Sequence, residues 1–405
     1  MISKPRIRSF LINTSLVFAS TIFALFLVEM TLRHIVERPN KDVFSNKTPK
    51  AKYYGWTPPC NAEFISVNPD NGEYQTYRTN SECWRDVEHS FEKPADILRI
   101  LFIGDSNTYG VVHFEEVYPR VVERLLKQKG LKNVEVISIG CGGWGTDTAL
   151  EVLRCEGILY QPDFVVYQFC GNDLTDNFAS YVNLNKVFSY EIRDGVLTRI
   201  DLSDRRAQRG FTLFDPLIPR ETITFINNVR GALKAGFTKL DQPYYEAAAK
   251  HHHWEDDPID PTAPYNYRQP DNDSDFIRNA WDLLCALLIE MDTISKKNNA
   301  EFIVFSEDGD GGKRAWNLRW ERIFTDGNSD YVMWKGERYP IDFTLPLRRL
   351  SAICTEHGIP VIRPKRIYER FEYDAHPNAR GNENMAQDIV EFLIDSTYIG
   401  ERLWE

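Results

Sequence analysis

Ile97-Leu98-Arg99-Ile100-Leu101-Phe102-Ile103-Gly104-Asp105-Ser106-Asn107 decides the fold. The apolar run before Gly104 predicts a buried strand that ends in a glycine turn. A serine just past such a turn sits at the carboxyl end of a strand, where open α/β sheets hold their ligands. The same arrangement recurs along the chain. Val134-Glu135-Val136-Ile137-Ser138-Ile139 leads to Gly142-Gly143, and Phe164-Val165-Val166-Tyr167-Gln168-Phe169 leads to Gly171-Asn172-Asp173. Near the end stands Asp374-Ala375-His376-Pro377-Asn378.

Helical spacing fills the gaps between these runs. Val121, Val122, Leu125 and Leu126 recur on one helical face and stop at Gly130, and a further helix is predicted from Thr146 to Leu159. Ile277, Trp281, Leu284, Leu288 and Met291 form another apolar face, ahead of a strand at Phe302-Ile303-Val304-Phe305. A helix around 347–357, a short strand at Ile359-Pro360-Val361-Ile362 and a last helix carrying Ala386, Ile389, Val390 and Leu393 complete the series. Strands that alternate with helices imply crossover units and a parallel sheet, here of five strands. Two long insertions interrupt the pattern, at about 177–275 and 307–342. The first holds a small hairpin around Glu191–Leu197.

The ends of the chain carry a different message. Lys4, Arg6 and Arg8 precede Phe10 to Val28, a stretch without a charged side chain. Its length is near the lower limit for a membrane span, and the flanking charge orients the N-terminus toward the cytoplasm. Residues 1–33 are thus expected to form a cytoplasmic tip and a single transmembrane anchor, with the rest extracytoplasmic. Residues 34–96, rich in Pro, Asn, Lys and Tyr, read as a stalk or covering segment, and 97–397 as the main domain. The 405 residues carry a formal net charge of −11 without a basic patch beyond the N-terminus, which argues against nucleic acid as a partner. Seven cysteines make no disulfide framework in a chain this long. Cys60 and Cys83, in polar surroundings, are either an extracytoplasmic disulfide or two free thiols.

Serine needs a neighbouring base to become a nucleophile, and the base needs a third group to hold its tautomer. Ser106, His376 and Asp374 match these three roles. The backbone N–H groups of Ser106 and Gly143, with the side-chain amide of Asn172, match an oxyanion hole. In these residues the chain resembles the SGNH (GDSL-type) hydrolases, whose blocks are defined by Ser, Gly, Asn and His. They correspond here, in order, to Ser106 in Gly-Asp-Ser-Asn, Gly143 in Gly-Cys-Gly-Gly-Trp-Gly, Asn172 in Gly-Asn-Asp, and His376 in His-Pro-Asn-Ala-Arg-Gly. The resemblance spans about 97–393 outside the insertions. It implies a flavodoxin-like three-layer α/β fold and serine-dependent cleavage or transfer of an O-acyl ester, such as an acetyl group on a cell-envelope glycan. No cofactor and no metal are implied. One departure stands out: most relatives place the triad aspartate three residues before the histidine, where this chain has Tyr373. The Asp-x-His spacing of Asp374 resembles the membrane-associated, polysaccharide-acetylating branch. The rival reading is an inactive binding or assembly module of the same fold beside a membrane acyltransferase.

Several residues also have plainer readings. Asp105 and Asn107 suit the turn after the strand, since such side chains bond nearby backbone groups. His251-His252-His253 cannot share one face of regular structure and sits among charged residues, so it reads as solvated loop. Asp308-Gly309-Asp310-Gly311-Gly312 lacks the spacing and closing glutamate of a calcium loop. Trp316, Trp320, Tyr331, Trp334 and Tyr339 read as local packing or as a face for a sugar ring or acyl chain.

Overall fold

Five of the apolar runs pair into one parallel sheet. The computed structural model describes residues 44–177, 186–202, 268–270, 274–307, 323–325, 330–334, 337–372, 374, 376–395 and 399, with isolated positions 13, 14, 16, 18 and 20. Apart from those isolated positions the expected anchor lies outside the described residues, as do His251–His253, the 308–312 loop, Trp316 and Trp320. Among the described residues no helix is long and apolar enough to cross a membrane.

The chain opens with α1 (Ala51–Tyr54) and an antiparallel hairpin, β1 (Glu63–Val67) and β2 (Tyr74–Arg78). The main domain follows as β3 (Leu98–Gly104), α2 (Ser106–Tyr109), α3 (Tyr118–Gln128), β4 (Val134–Gly140), α4 (Thr146–Cys155), β5 (Phe164–Phe169) and α5 (Asp173–Asp176). A hairpin of β6 (Phe188–Arg193) and β7 (Val196–Asp201) is followed by α6 (Asp275–Lys297) and β8 (Glu301–Ser306). Then come β9 (Ile323–Thr325), β10 (Asp330–Trp334) and β11 (Glu337–Ile341), a small antiparallel sheet inside the second insertion. The chain closes with α7 (Leu345–Glu356), the two-residue β12 (Val361–Ile362) and α8 (Ala379–Asp395).

The large sheet runs β12-β8-β5-β3-β4, all parallel. Read from β4, this is the flavodoxin-like order 2-1-3-4-5, with a switch point beside β3. Successive strand residues face opposite layers. Leu101, Ile103, Ile137, Ile139, Val165 and Tyr167 join the core shared with α4 and α6, whereas Ile100, Phe102, Val136 and Val166 join the core shared with α3 and α8. All seven residues of β3 are buried, so the strand that carries the serine turn lies in the middle of both cores.

Residues 44–93 pack against the main domain. Cys60 and Cys83 are joined in a disulfide around the β1–β2 hairpin. Glu156, just past α4, accepts from Lys50 Nζ at 2.5 Å and from Trp84 Nε1 at 2.6 Å. Arg85, buried, donates to the carbonyls of Tyr109 and Gly110 at 2.8 and 2.6 Å. Asp86 accepts from the Ser138 backbone at 2.7 Å, and His89 bridges Asp86 to Glu135. The segment is therefore stitched across the sheet by charge and hydrogen bonds.

Candidate active site

Ser106 is placed by a collision that only glycine avoids. A Cβ on Gly104 would run into Thr108 Oγ1 and the Gln168 side chain, so the bare strand end lets α2 fold back over it. Gln168, buried on β5, accepts from the Asp105 N–H at 3.2 Å and from Thr108 Oγ1 at 3.0 Å. Asp105 accepts from the Asn107 backbone at 2.8 Å and its side chain at 3.1 Å, so both residues fix the turn. The Ser106 N–H and hydroxyl make no hydrogen bond among the described residues.

The oxyanion candidates come from the neighbouring strand ends. Gly143 follows β4 with φ +75°, a left-handed backbone suited to glycine, and its N–H also makes no hydrogen bond among the described residues. Asn172 stands before α5. Its Nδ2 donates to Asp176 Oδ2 at 2.8 Å and makes a long 3.5 Å contact with Asp105 Oδ2. Burial, reinforced by the charge of Glu307, pushes the Asp105 carboxyl up to about 6 against the hydrogen bonds it accepts. Burial pushes Asp176 up to about 8, opposed chiefly by the Asn172 amide.

His376 lies on a loop held by one backbone bridge and several side chains. Arg370 and Pro377 form an isolated antiparallel bridge, and Phe371 N donates to His376 O at 3.1 Å. Asn378 caps α8 by accepting from Gly381 N at 2.9 Å and donates to Arg370 O at 3.2 Å. Asn382, buried, donates to Pro377 O at 3.0 Å and accepts from Tyr118 N at 3.0 Å, tying the loop to α3. Arg370 pairs with the buried Glu307 at 3.0 Å, and Glu307 also accepts from Cys170 Sγ at 3.0 Å, one loop away. The hairpin of the covering segment reaches the same loop, because Asp70 accepts from Glu372 N at 2.7 Å.

Asp374 accepts from the His376 backbone at 2.8 Å and is directly bonded to its Nδ1. Burial alone would lower the histidine's pKa, but the bond to Asp374 and the charges of Asp374 and Asp105 raise it. Burial works against ionised Asp374, yet its bonds to His376 hold its pKa below the usual range. His376 and Asp105 thus feel each other's charge across the sheet edge, next to Ser106. Asp374 and His376 are in contact; Ser106 and His376 share no hydrogen bond.

Asp176, four residues after Asn172, was detectable as an i,i+4 partner, and so was Asn382 after Asn378. Trp56, Glu307 and Arg370 carry no motif. Among the described residues no group of three His, Cys, Asp or Glu side chains could hold a metal ion.

Residues 102–211 match the GDSL-like Lipase/Acylhydrolase family, a span that includes Ser106, Gly143 and Asn172 and ends before His376. No curated protein matches the chain. Solved structures similar to it include a lipase/acylhydrolase from Enterococcus faecalis, with 15% identity over 73% of this chain and 95% of that one, at a TM-score of 0.35. A Clostridium thermocellum family 3 carbohydrate esterase shares 12% identity over 74% of this chain and 96% of its own, at a TM-score of 0.36. A variant of an acetyl-xylooligosaccharide esterase from Geobacillus Stearmophilus shares 12% over 73% and 93%, at 0.35. Likenesses this loose define no activity; the sequence match, which opens at the Ser106 turn, makes residues 102–211 similar to the GDSL-like lipase/acylhydrolase family.

Proposed function

We propose that this protein is a membrane-anchored, extracytoplasmic serine esterase or O-acyltransferase that works on O-acyl, chiefly acetyl, esters of a cell-envelope glycan. The observation that carries the proposal is the bonded Asp374–His376 pair at the sheet edge where Ser106 and Gly143 present unengaged N–H groups. Ser106 Oγ attacks the acyl carbonyl carbon while His376 Nε2 takes the hydroxyl proton. The oxyanion that forms is held by the N–H groups of Ser106 and Gly143 and by the Asn172 amide. Collapse of the tetrahedral intermediate breaks the ester bond, and the leaving alcohol receives the proton from His376. A water molecule or a sugar hydroxyl then attacks the acyl-enzyme and gives its proton to His376; the acyl carbon–Oγ bond breaks, and His376 returns the proton to Ser106 Oγ. Asp374 stabilises the imidazolium formed in both halves.

The extracytoplasmic setting is supported by the charge order before Phe10 and by the Cys60–Cys83 bridge, since disulfides persist in oxidising compartments. A fluorophosphonate probe tests the chemistry. Wild type should be labelled, Ser106→Ala should not, and absence of label on folded wild type would favour the binding-module reading. Product analysis with an acylated donor and a glycan acceptor separates transfer from hydrolysis. A reporter active only outside the cytoplasm, fused after Arg38, should give signal in the membrane fraction; signal only from a cytoplasmic reporter overturns the topology.

A further inference from the structure

We infer that Trp56, on the covering segment, is the positioning residue that aims the Gly143 N–H into the oxyanion hole; the inference rests on the esterase reading above. The Trp56 indole Nε1 donates to the Gly142 carbonyl at 2.8 Å. No peptide bond among the described residues is cis, so the Gly142 carbonyl and the Gly143 N–H belong to one trans peptide plane and point in opposite directions. Holding the carbonyl on the cover side turns the N–H to the other side, where it makes no protein hydrogen bond.

The hold matters because two successive glycines resist a peptide flip very little. A flip would bring the Gly143 N–H against the indole N–H, two donors face to face, in a partly buried place. Trp56 is itself fixed. It is only 3% exposed, its carbonyl accepts from Trp144 Nε1 at 3.3 Å, and its neighbour Thr57 exchanges backbone hydrogen bonds with Ser45 at 2.9 and 3.1 Å. The indole thus grips the loop at Gly142 while the backbone beside it grips Trp144. The loop's preorganisation is supplied from the covering segment, 86 residues away in sequence.

The test is Trp56→Phe, which keeps a ring and removes the donor. Turnover of a short-chain acyl ester is normalised to active sites by phosphonate titration. Loss of an oriented donor predicts a kcat about 10- to 100-fold lower with KM within about twofold. Affinity for a small alkylboronic acid, whose serine adduct places an oxygen in the same hole, should fall by a similar factor. A packing defect alone would lower the titratable fraction and the unfolding temperature but leave kcat per site and boronate affinity unchanged, and that result overturns the inference. If Trp56→Phe does not fold, benzothienylalanine at position 56, bicyclic and without the N–H, gives the same readouts. Wild-type turnover that survives Ser106→Ala overturns the esterase reading and this inference together. A Ser106-dependent wild type with an unaltered Trp56→Phe variant overturns this inference only.

Discussion

The loop that presents Ser106 and the loop that presents His376 meet at one sheet edge, yet they are held in opposite ways. Ser106 follows a seven-residue strand paired in register with β4 on one side and β5 on the other. His376 follows a two-residue edge strand and a single backbone bridge. Asn378, Asn382, the Arg370–Glu307 pair and Asp70 do the rest. The proposed nucleophile inherits its position from backbone ladders, and the proposed base chiefly from a handful of polar side chains. The second arrangement is easier to break, since one substitution can remove a cross-link but not a strand.

The sharpest way to break the contrast is Asp374→Asn. Loss of the carboxylate disfavours the needed tautomer and should lower the ester-cleavage rate by up to about 10,000-fold without unfolding the sheet. His376 must be neutral to accept a proton, and its pKa is raised chiefly by Asp374 once burial is overcome. Wild-type activity should therefore rise with pH through a midpoint above the ordinary histidine value, and the residual activity of the variant should rise at a lower pH. Glu372→Gln is the control, because only the backbone of Glu372 bonds Asp70; greater damage there than at Asp374 would show the third triad position to be misassigned.

Asn172→Ala tests the sheet-held side and should cost about 100- to 1000-fold in rate with two backbone donors left in place. An unchanged rate in a folded variant removes Asn172 from the site. A third measurement addresses the covering segment. Burial works against the His89 cation, but its bonds to Asp86 and Glu135 push its pKa up to about 9 from an ordinary 6.5. A folded pKa above the unfolded one means the contribution is complete below about pH 6.5 and is lost as pH rises through about 9, at most about 3 kcal/mol. Urea midpoints of wild type should fall across that window while those of His89→Gln stay flatter; parallel curves would rule out the bridge. Asn382→Ala, which orphans the Tyr118 N–H and the Pro377 carbonyl, should cost about 1–3 kcal/mol by urea unfolding. Less than about 0.5 kcal/mol would mean that the loop is held elsewhere.

What could be read from the sequence follows the same divide. The five sheet strands and the helices on both faces were legible because burial on two faces writes continuous apolar runs, and the glycine turns after them marked the loops. The helix expected to reach Leu159 stops at Cys155, with a short 3-10 turn over Gly157–Tyr160. The β1–β2 hairpin was not legible. Its inward positions on β2 are Gln75 and Tyr77, so a polar residue occupies a buried slot and the alternation of hydropathy disappears. The small sheet of β9, β10 and β11 was missed because its strands are three to five residues long and lie inside a segment read as insertion. In the site, residue types announced chemistry, but the partners that aim them, such as Trp56 and Glu307, announced nothing. They act through contacts far apart in sequence.

That distance sets an order of assembly. Asp70 and the backbone of Glu372 are 302 residues apart, and Lys50 reaches Glu156 across 106. The covering segment leaves the ribosome before any of these partners exists, whereas the ladders of β3, β4 and β5 close within about 70 residues of one another. The Cys60–Cys83 linkage, 23 residues apart, and the β1–β2 ladder can close within the cover alone. The Asp70–Glu372 contact at the base loop can form only when synthesis has passed residue 372, so part of the earliest-made described segment is among the last to be seated.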